Sequence, residues 1–293
     1  LDLLRKEEWI LFDQAVVDVG RERLGIVQDL ISRGLRFPLT NAMGTTRLEW
    51  ERISDMDPAQ VSMAGVTEGE YDRIDFQLQN MPIPIIHKEF TLNIRHLEAS
   101  RTRGESIDTT QARVATRKVA EEIEEIFVNG LTMTAIGGQV FGLTTAPDRN
   151  LGTSQDWTNT ATVTGEDIID QVIQMKADAA ADHMFGPYGI YIPRPFEDRL
   201  ENDYKANSDK SIRQRLSELS NISFIRPTER LTGNQVVVAQ LTTDVMEVID
   251  GIQPRTVQWD AQGGFVINFK ILAIVLPRIR SDYTLQSGIV HYS

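Results

Sequence analysis

The sequence predicts an α+β fold, and three observations carry that prediction. Between Thr46 and Ile86 lie two runs of strict two-residue alternation, the period of a β-strand. From Ala112 to Ile126 apolar residues recur at spacings of three and four, the stripe of an amphipathic helix. Beyond Leu131, short helix-like and strand-like segments follow one another and close on strands, the order of a compact α/β or α+β unit.

The first segment, Arg5 to Ser32, reads as helix broken near Gly20 or Gly25. Trp9, Phe12, Val16 and Val19 recur at helical spacing, as do Leu24, Val27 and Ile31. Gly34 stops it, and Pro38 opens an extended stretch. Arg5, Lys6, Glu7 and Glu8 crowd the first turn, which is unlike a signal peptide. The chain opens at Leu1 rather than methionine, so its natural start is expected to have been removed or left out.

In the alternating region, Leu48 and Trp50 alternate with Arg47, Glu49 and Glu51, and Ile74, Phe76 and Leu78 with Asp75, Gln77 and Gln79. A polar tip from Asp55 to Asp72 separates them. The simplest structure is one long hairpin projecting roughly 25 to 40 Å, at about 3.3 Å per residue. An isolated hairpin is only marginally stable in water. Its apolar row of Leu48, Trp50, Ile74, Phe76 and Leu78 therefore needs support. A neighbouring subunit or the hairpin's own domain can supply it.

The strongest helix follows. Asp108 stands as N-cap with Gln111 three residues on. Ala112, Ala115, Val119, Ile123 and Ile126 form its stripe, and Gly130 after Asn129 is the expected left-handed stop. Such a rod is roughly 28 Å long, enough for a domain's spine. Glu121, Glu122, Glu124 and Glu125 flank the stripe and read as a solvated face rather than a metal site.

From Leu131 to Thr164 the chain is rich in Gly, Thr and Asn and reads as loops with short strands. Helices are expected near 166–180, 196–204 and 211–219. Strands are expected at 189–192, 222–225, 235–240, 245–249, 256–259 and 265–276. The last is apolar on both faces from Ile271 to Leu276, as a central strand is.

Composition narrows the function classes. The chain has 293 residues and no cysteine, which excludes disulfides, a thiolate nucleophile and a cysteine zinc site. No run approaches the eighteen or so apolar residues of a membrane helix. The net charge of −12, from 42 acids and 30 bases, lacks the basic surplus of a protein that grips nucleic acid. His87, His96, His183 and His291 form no i, i+4 metal pair, and Gly137, Gly138 and Gly142 match no phosphate loop. No nucleophile elbow is present. The sequence thus offers no catalytic, cofactor or metal site, and the expectation is a protein that is not an enzyme.

Three stretches resemble the tailed-phage capsid fold, often called Hong Kong 97-like, and within it the encapsulin branch. These are Glu7-Glu8-Trp9 with its helix; Pro82 to Ile86 leading into Glu89 to Leu92, with Arg113 to Gly130 behind; and Gly186-Pro187-Tyr188 entering the strand at Gly189. The resemblance implies an amino-terminal arm over 1–45 and an extended loop over 46–86. A peripheral domain is implied over 87–130 and 244–293, and an axial domain over 131–243. It places Leu48, Trp50, Ile74, Phe76 and Leu78 of the extended loop at a subunit interface. It implies a homo-oligomeric icosahedral shell of hexamers and pentamers, assembled in the host cytoplasm and found in the virion, with no membrane partner. Packaged double-stranded DNA would be held non-specifically, and portal, scaffold or cementing proteins are further partners of such shells. The stretch from Pro277 to Ser293, past the point where compact encapsulins end, favours a phage major capsid protein. The alternative is an encapsulin nanocompartment whose inner surface holds a cargo enzyme's tail peptide.

Overall fold

A computed structural model describes residues 6–54, 73–103, 109–134, 138–205 and 208–293, with single positions 56, 59, 61 and 63 between the first two blocks. The amino-terminal arm is two helices, α1 (Lys6–Arg23) and α2 (Gly25–Ser32). They break at Leu24, whose ψ of 65° is not helical. Gly34, at φ 79°, turns the chain out of α2 into β1 (Arg36–Pro38).

The hairpin follows as β2 (Arg47–Ile53) and β3 (Phe76–Pro82), then β4 (Ile86–Asn93), α3 (Ile94–Arg103) and the spine helix α4 (Thr110–Asn129). Asp108 lies outside the described residues. The N-cap position falls on Thr109, whose side chain makes no capping bond. Helix α3 was not expected, because Ile94 and Leu97 are its only apolar residues of size and make too short a stripe to read.

Beyond α4 come β5 (Leu131–Met133), β6 (Gly138–Val140), β7 (Asn150–Gly152) and α5 (Gly165–Ala181). Thr164 and Asp167 cap α5 reciprocally, satisfying amide groups that a helix start leaves open. Then follow β8 (Tyr188–Pro193), α6 (Pro195–Leu200), α7 (Ile212–Ser217), β9 (Ile222–Thr228) and β10 (Val236–Gln240). The chain closes on β11 (Met246–Ala261), β12 (Val266–Ile279) and β13 (Ile289–Tyr292). The two strands expected at 245–249 and 256–259 are one long strand. Its register slips between Asp250 and Arg255, where Gly251 and Pro254 interrupt the ladder without ending it.

Two sheets organise the chain. One has the order β1-β11-β12-β4, with β12 inside it as its doubly apolar sequence requires; the other has the order β7-β13-β10-β8-β9. The second sheet corrects the expected division at Thr243. Residues 289–292 do not stay with the β11–β12 sheet but pair antiparallel with β10 and parallel with β7. Ile289 and Val290 are fully buried there, so the carboxyl-terminal strand is an inner strand of the sheet built mainly from 131–243.

One core cluster joins the arm, the spine helix and both sheets, through Val27, Leu30, Val119, Ile123, Ile274 and Val237. Another lies under the five-stranded sheet, where Trp157 stacks on Phe196 at 5.0 Å and its ring N–H donates to Gln171. The hairpin stands apart as its own two-stranded sheet.

Candidate functional site

The hairpin closes at its foot where the Ile83 amide donates to the Thr46 carbonyl at 2.9 Å. Its register pairs Leu48 with Met81, Trp50 with Gln79, Glu51 with Leu78 and Ile53 with Phe76. Directly opposed residues of an antiparallel pair share a face. Leu48, Trp50 and Arg52 therefore lie on one face with Met81 and Gln79. Ile53, Phe76 and Leu78 lie on the other with Glu49 and Glu51. The single apolar row expected from the alternation is divided between the two faces.

The inner face is bound to this chain's own body. Met81 is buried, and Leu48 and Trp50 pack against the main core. Arg52 Nη2 donates to Asp148 Oδ2 at 2.9 Å, with the side chains only 12% and 14% exposed. The Ser281 hydroxyl donates to the same oxygen, so one carboxylate ties the hairpin to the segment leaving β12. The Trp50 ring N–H is sheltered and has no hydrogen-bond partner among the described residues.

The outer face is largely uncovered among the described residues. Ile53 is 55% exposed, Leu78 59% and Phe76 63%. Ile74 precedes β3 and is half-buried. The three exposed side chains share the face with Glu49 and Glu51.

Gly130 sits at the end of α4 with φ 71° and ψ −174°. The positive φ matches the expected stop, but the ψ differs from that of a left-handed helical cap; this extended region is essentially glycine's own. A β-carbon there would lie 2.6 Å from both Thr145 Oγ1 and the Val140 carbonyl. Two constraints therefore hold the position.

Sequence reasoning missed Glu124. It is not on a solvated face: it is 8% exposed, and its Oε1 accepts from the Ile26 amide at 2.9 Å and the Val27 amide at 3.5 Å. It caps α2 from the spine helix. A neighbour in space and not in sequence decides its role. Among the described residues no group of three or more histidines and carboxylates is placed to hold a metal. His291 is buried and accepts from Arg149 Nε at 3.2 Å. Burial and that cation push its pKa down. No helix among the described residues is long and apolar enough to cross a membrane.

A two-stranded hairpin, a spine helix against a four-stranded sheet and a five-stranded domain make up the Hong Kong 97-like capsid fold. The chain is similar to a virus-like particle from Pyrococcus furiosus, with a TM-score of 0.69 at 17% identity over 98% of this chain and 99% of that one. It is also similar to the capsid of Myoviridae phage XM1, with a TM-score of 0.66 at 12% identity over 89% and 90% of the two chains. In sequence it is 25% identical over 248 residues to the type 1 encapsulin shell protein EncA of Myxococcus xanthus strain DK1622, covering 84% of this chain and 79% of that one. The chain belongs to the family described as "Family of unknown function (DUF6260)", whose model matches residues 1–292.

Proposed function

We propose that this protein is a phage major capsid protein, self-assembling through hexamers and pentamers into an icosahedral shell around double-stranded DNA. The observation that carries the assembly step is the outer face of the hairpin. Ile53, Phe76 and Leu78 are held in a fixed strand register and exposed, on an arm whose other face is anchored by Arg52 and Asp148. Covering a Phe or Leu side chain is worth about 1.5–3 kcal/mol, and the gain recurs at every copy of a symmetric contact. The fold likeness to the XM1 capsid supports the phage reading, and the net charge of −12 suits walls that confine DNA without gripping it. Portal, scaffold or cementing proteins are further partners on this reading.

A second reading, an encapsulin holding a cargo enzyme, is favoured by the sequence likeness to EncA. A groove of about 390 Å³ between the arm and β11 adds to it, lined by Val16, Val17, Leu24, Ile31 and Pro254, with the Arg36–Asp250 ion pair at its side. Apolar lining with a few fixed charges is what a short peptide segment requires. The residues beyond Leu276 do not separate the readings, because the Pyrococcus virus-like particle matches 98% of this chain and so reaches into them.

Negative-stain microscopy of the expressed chain, followed by analysis of the particles' contents, is the test. Closed shells with nuclease-protected DNA are expected from infected cells. A single co-purifying enzyme would replace the phage reading with the encapsulin one. A 33.1 kDa species that assembles neither alone nor in infected cells would overturn both.

A further inference from the structure

The junction of the arm, the spine helix and the five-stranded sheet contains a buried acid without a cation of its own. Glu124 projects from α4 onto the first turn of α2 and accepts its Ile26 and Val27 amides. The nearest guanidinium, on Arg226 of β9, is already engaged by both oxygens of Asp29 on α2. Arg33, at the end of α2, lies over the Phe224 ring at 4.4 Å.

The other charges around the site are likewise committed. On α4, Glu121 pairs with Arg117 and Lys118, and Glu125 with Arg230. Arg194, after β8, pairs with Glu197. Glu229 lines the neighbouring groove of about 230 Å³, whose walls include Glu124 itself. From β8, the Tyr191 hydroxyl is fully buried with no hydrogen-bond partner among the described residues, and it feels the charges of both Asp29 and Glu124.

We propose that Glu124 is a proton-controlled clasp, closing α2 of the amino-terminal arm onto the spine helix when its carboxyl is neutral and loosening that contact when it ionises. The structural reason is a contest. Two backbone amides and a helix N-terminus favour the carboxylate, but one of the two bonds is long, and burial denies the charge its water. Desolvation is the largest effect; it outweighs the two amides and the attraction of Arg226, Asp29 adds a smaller push, and Glu124 is raised to about 7 from an ordinary 4.5.

The sign follows from linkage. With α2 undocked, Glu124 is wet and ionises near its ordinary value; docked, it keeps its proton until about pH 7. Docking is therefore strongest in acid, weakens as pH rises between those two values and changes no further above them. The groove beside Glu124 gives solvent its route to the proton.

Hydrogen exchange of the intact protein, read by mass spectrometry on peptides covering 25–32 and corrected for intrinsic rates, tests the clasp. Between pH 5.5 and 8.5 the protection of α2 should fall roughly thirty-fold by the linkage relation, most of it below neutrality, and level off above about pH 7. Glu124→Gln, which keeps an acceptor and cannot ionise, should hold the acid-level protection at both pH values. Unchanged wild-type protection, a fall that continues to pH 8.5 without levelling off, or the same fall in Glu124→Gln would each overturn the proposal. If that variant does not fold, the size of the wild-type fall and the pH at which it levels off decide.

Discussion

Trp50 and Leu78 stand on opposite faces of one two-stranded ribbon, because Trp50 pairs with Gln79 while Leu78 pairs with Glu51. The first packs against the chain's own core; the second is 59% exposed. Substitutions on the two faces should fail differently. Phe76→Asp or Leu78→Asp should abolish particles while leaving subunits with wild-type circular dichroism and exchange protection. Trp50→Ala should instead lower subunit stability in urea by about 1–3 kcal/mol, somewhat less than the cost for a fully buried aromatic. Normal particles from Phe76→Asp would sink the assembly role of the outer face.

Alternation made both strands legible in the sequence, but not their faces. Every opposed couple in this hairpin joins an odd-numbered residue to an even-numbered one. Leu48, Trp50, Phe76 and Leu78 are all even and so divide between the faces. The length of the tip sets that parity, and a slip of one residue would reverse it. Glu124 was hidden for a related reason: its partners are almost a hundred residues away on α2. The strand at 289–292 is only four residues long, and its burial depends on β7 and β10 receiving it on either side. By contrast the apolar stripe of the spine helix is local, and Ala112, Ala115, Val119, Ile123 and Ile126 are all buried as it predicts.

The Arg52–Asp148 contact fixes the angle at which the hairpin leaves the body. Bonds to charged groups contribute about 1.5–3 kcal/mol, so Asp148→Asn should loosen the hairpin without unfolding the core. Exchange protection in 47–53 and 76–82 should fall, while that of α4 stays at its wild-type level. Equal loss in both would mean that Asp148 supports the whole fold and not the hairpin's pose.

Two glycines separate backbone strain from crowding. Gly34 and Gly130 both have positive φ, but a β-carbon at Gly34 meets nothing within 4 Å, whereas at Gly130 it collides with Thr145 and the Val140 carbonyl. Gly34→Ala should cost about 1–2 kcal/mol, the conformational penalty alone. Gly130→Ala should cost clearly more, through displacement of the segment that follows α4. Similar shifts in the urea midpoint for both variants would show that crowding at Gly130 is relieved cheaply.

The carboxyl-terminal strand should be indispensable to the subunit. Removing 289–293 would strip β13 from between β7 and β10 and leave the latter an unpaired edge. Ile289→Ala, a milder change at a fully buried position, should cost about 2–5 kcal/mol. The measurements are soluble yield for the truncation and urea denaturation for the point variant. A truncated chain that still assembles would show that the strand is an accessory to its sheet.

Cohesion of the shell should be entirely non-covalent. An isopeptide cross-link of the kind found in one branch of the capsid family needs a lysine on the extended loop to attack a neighbour's asparagine. The lysines here are Lys6, Lys88, Lys118, Lys176, Lys205, Lys210 and Lys270, and none lies between Thr46 and His87. Arginine does not substitute, since its guanidinium stays protonated and is a poor nucleophile. Disulfides are excluded by the absence of cysteine. Lys88, at the start of β4 beside the hairpin's foot, lies along a groove with Lys118 and Glu122. It stands well back from the exposed Ile53–Phe76 end, so reaching a neighbour from there would need a different contact. Boiling purified shells in detergent should therefore release one band at monomer mass. A ladder of dimers to hexamers that survives boiling, and disappears in Lys88→Arg, would place a covalent lock at that lysine instead.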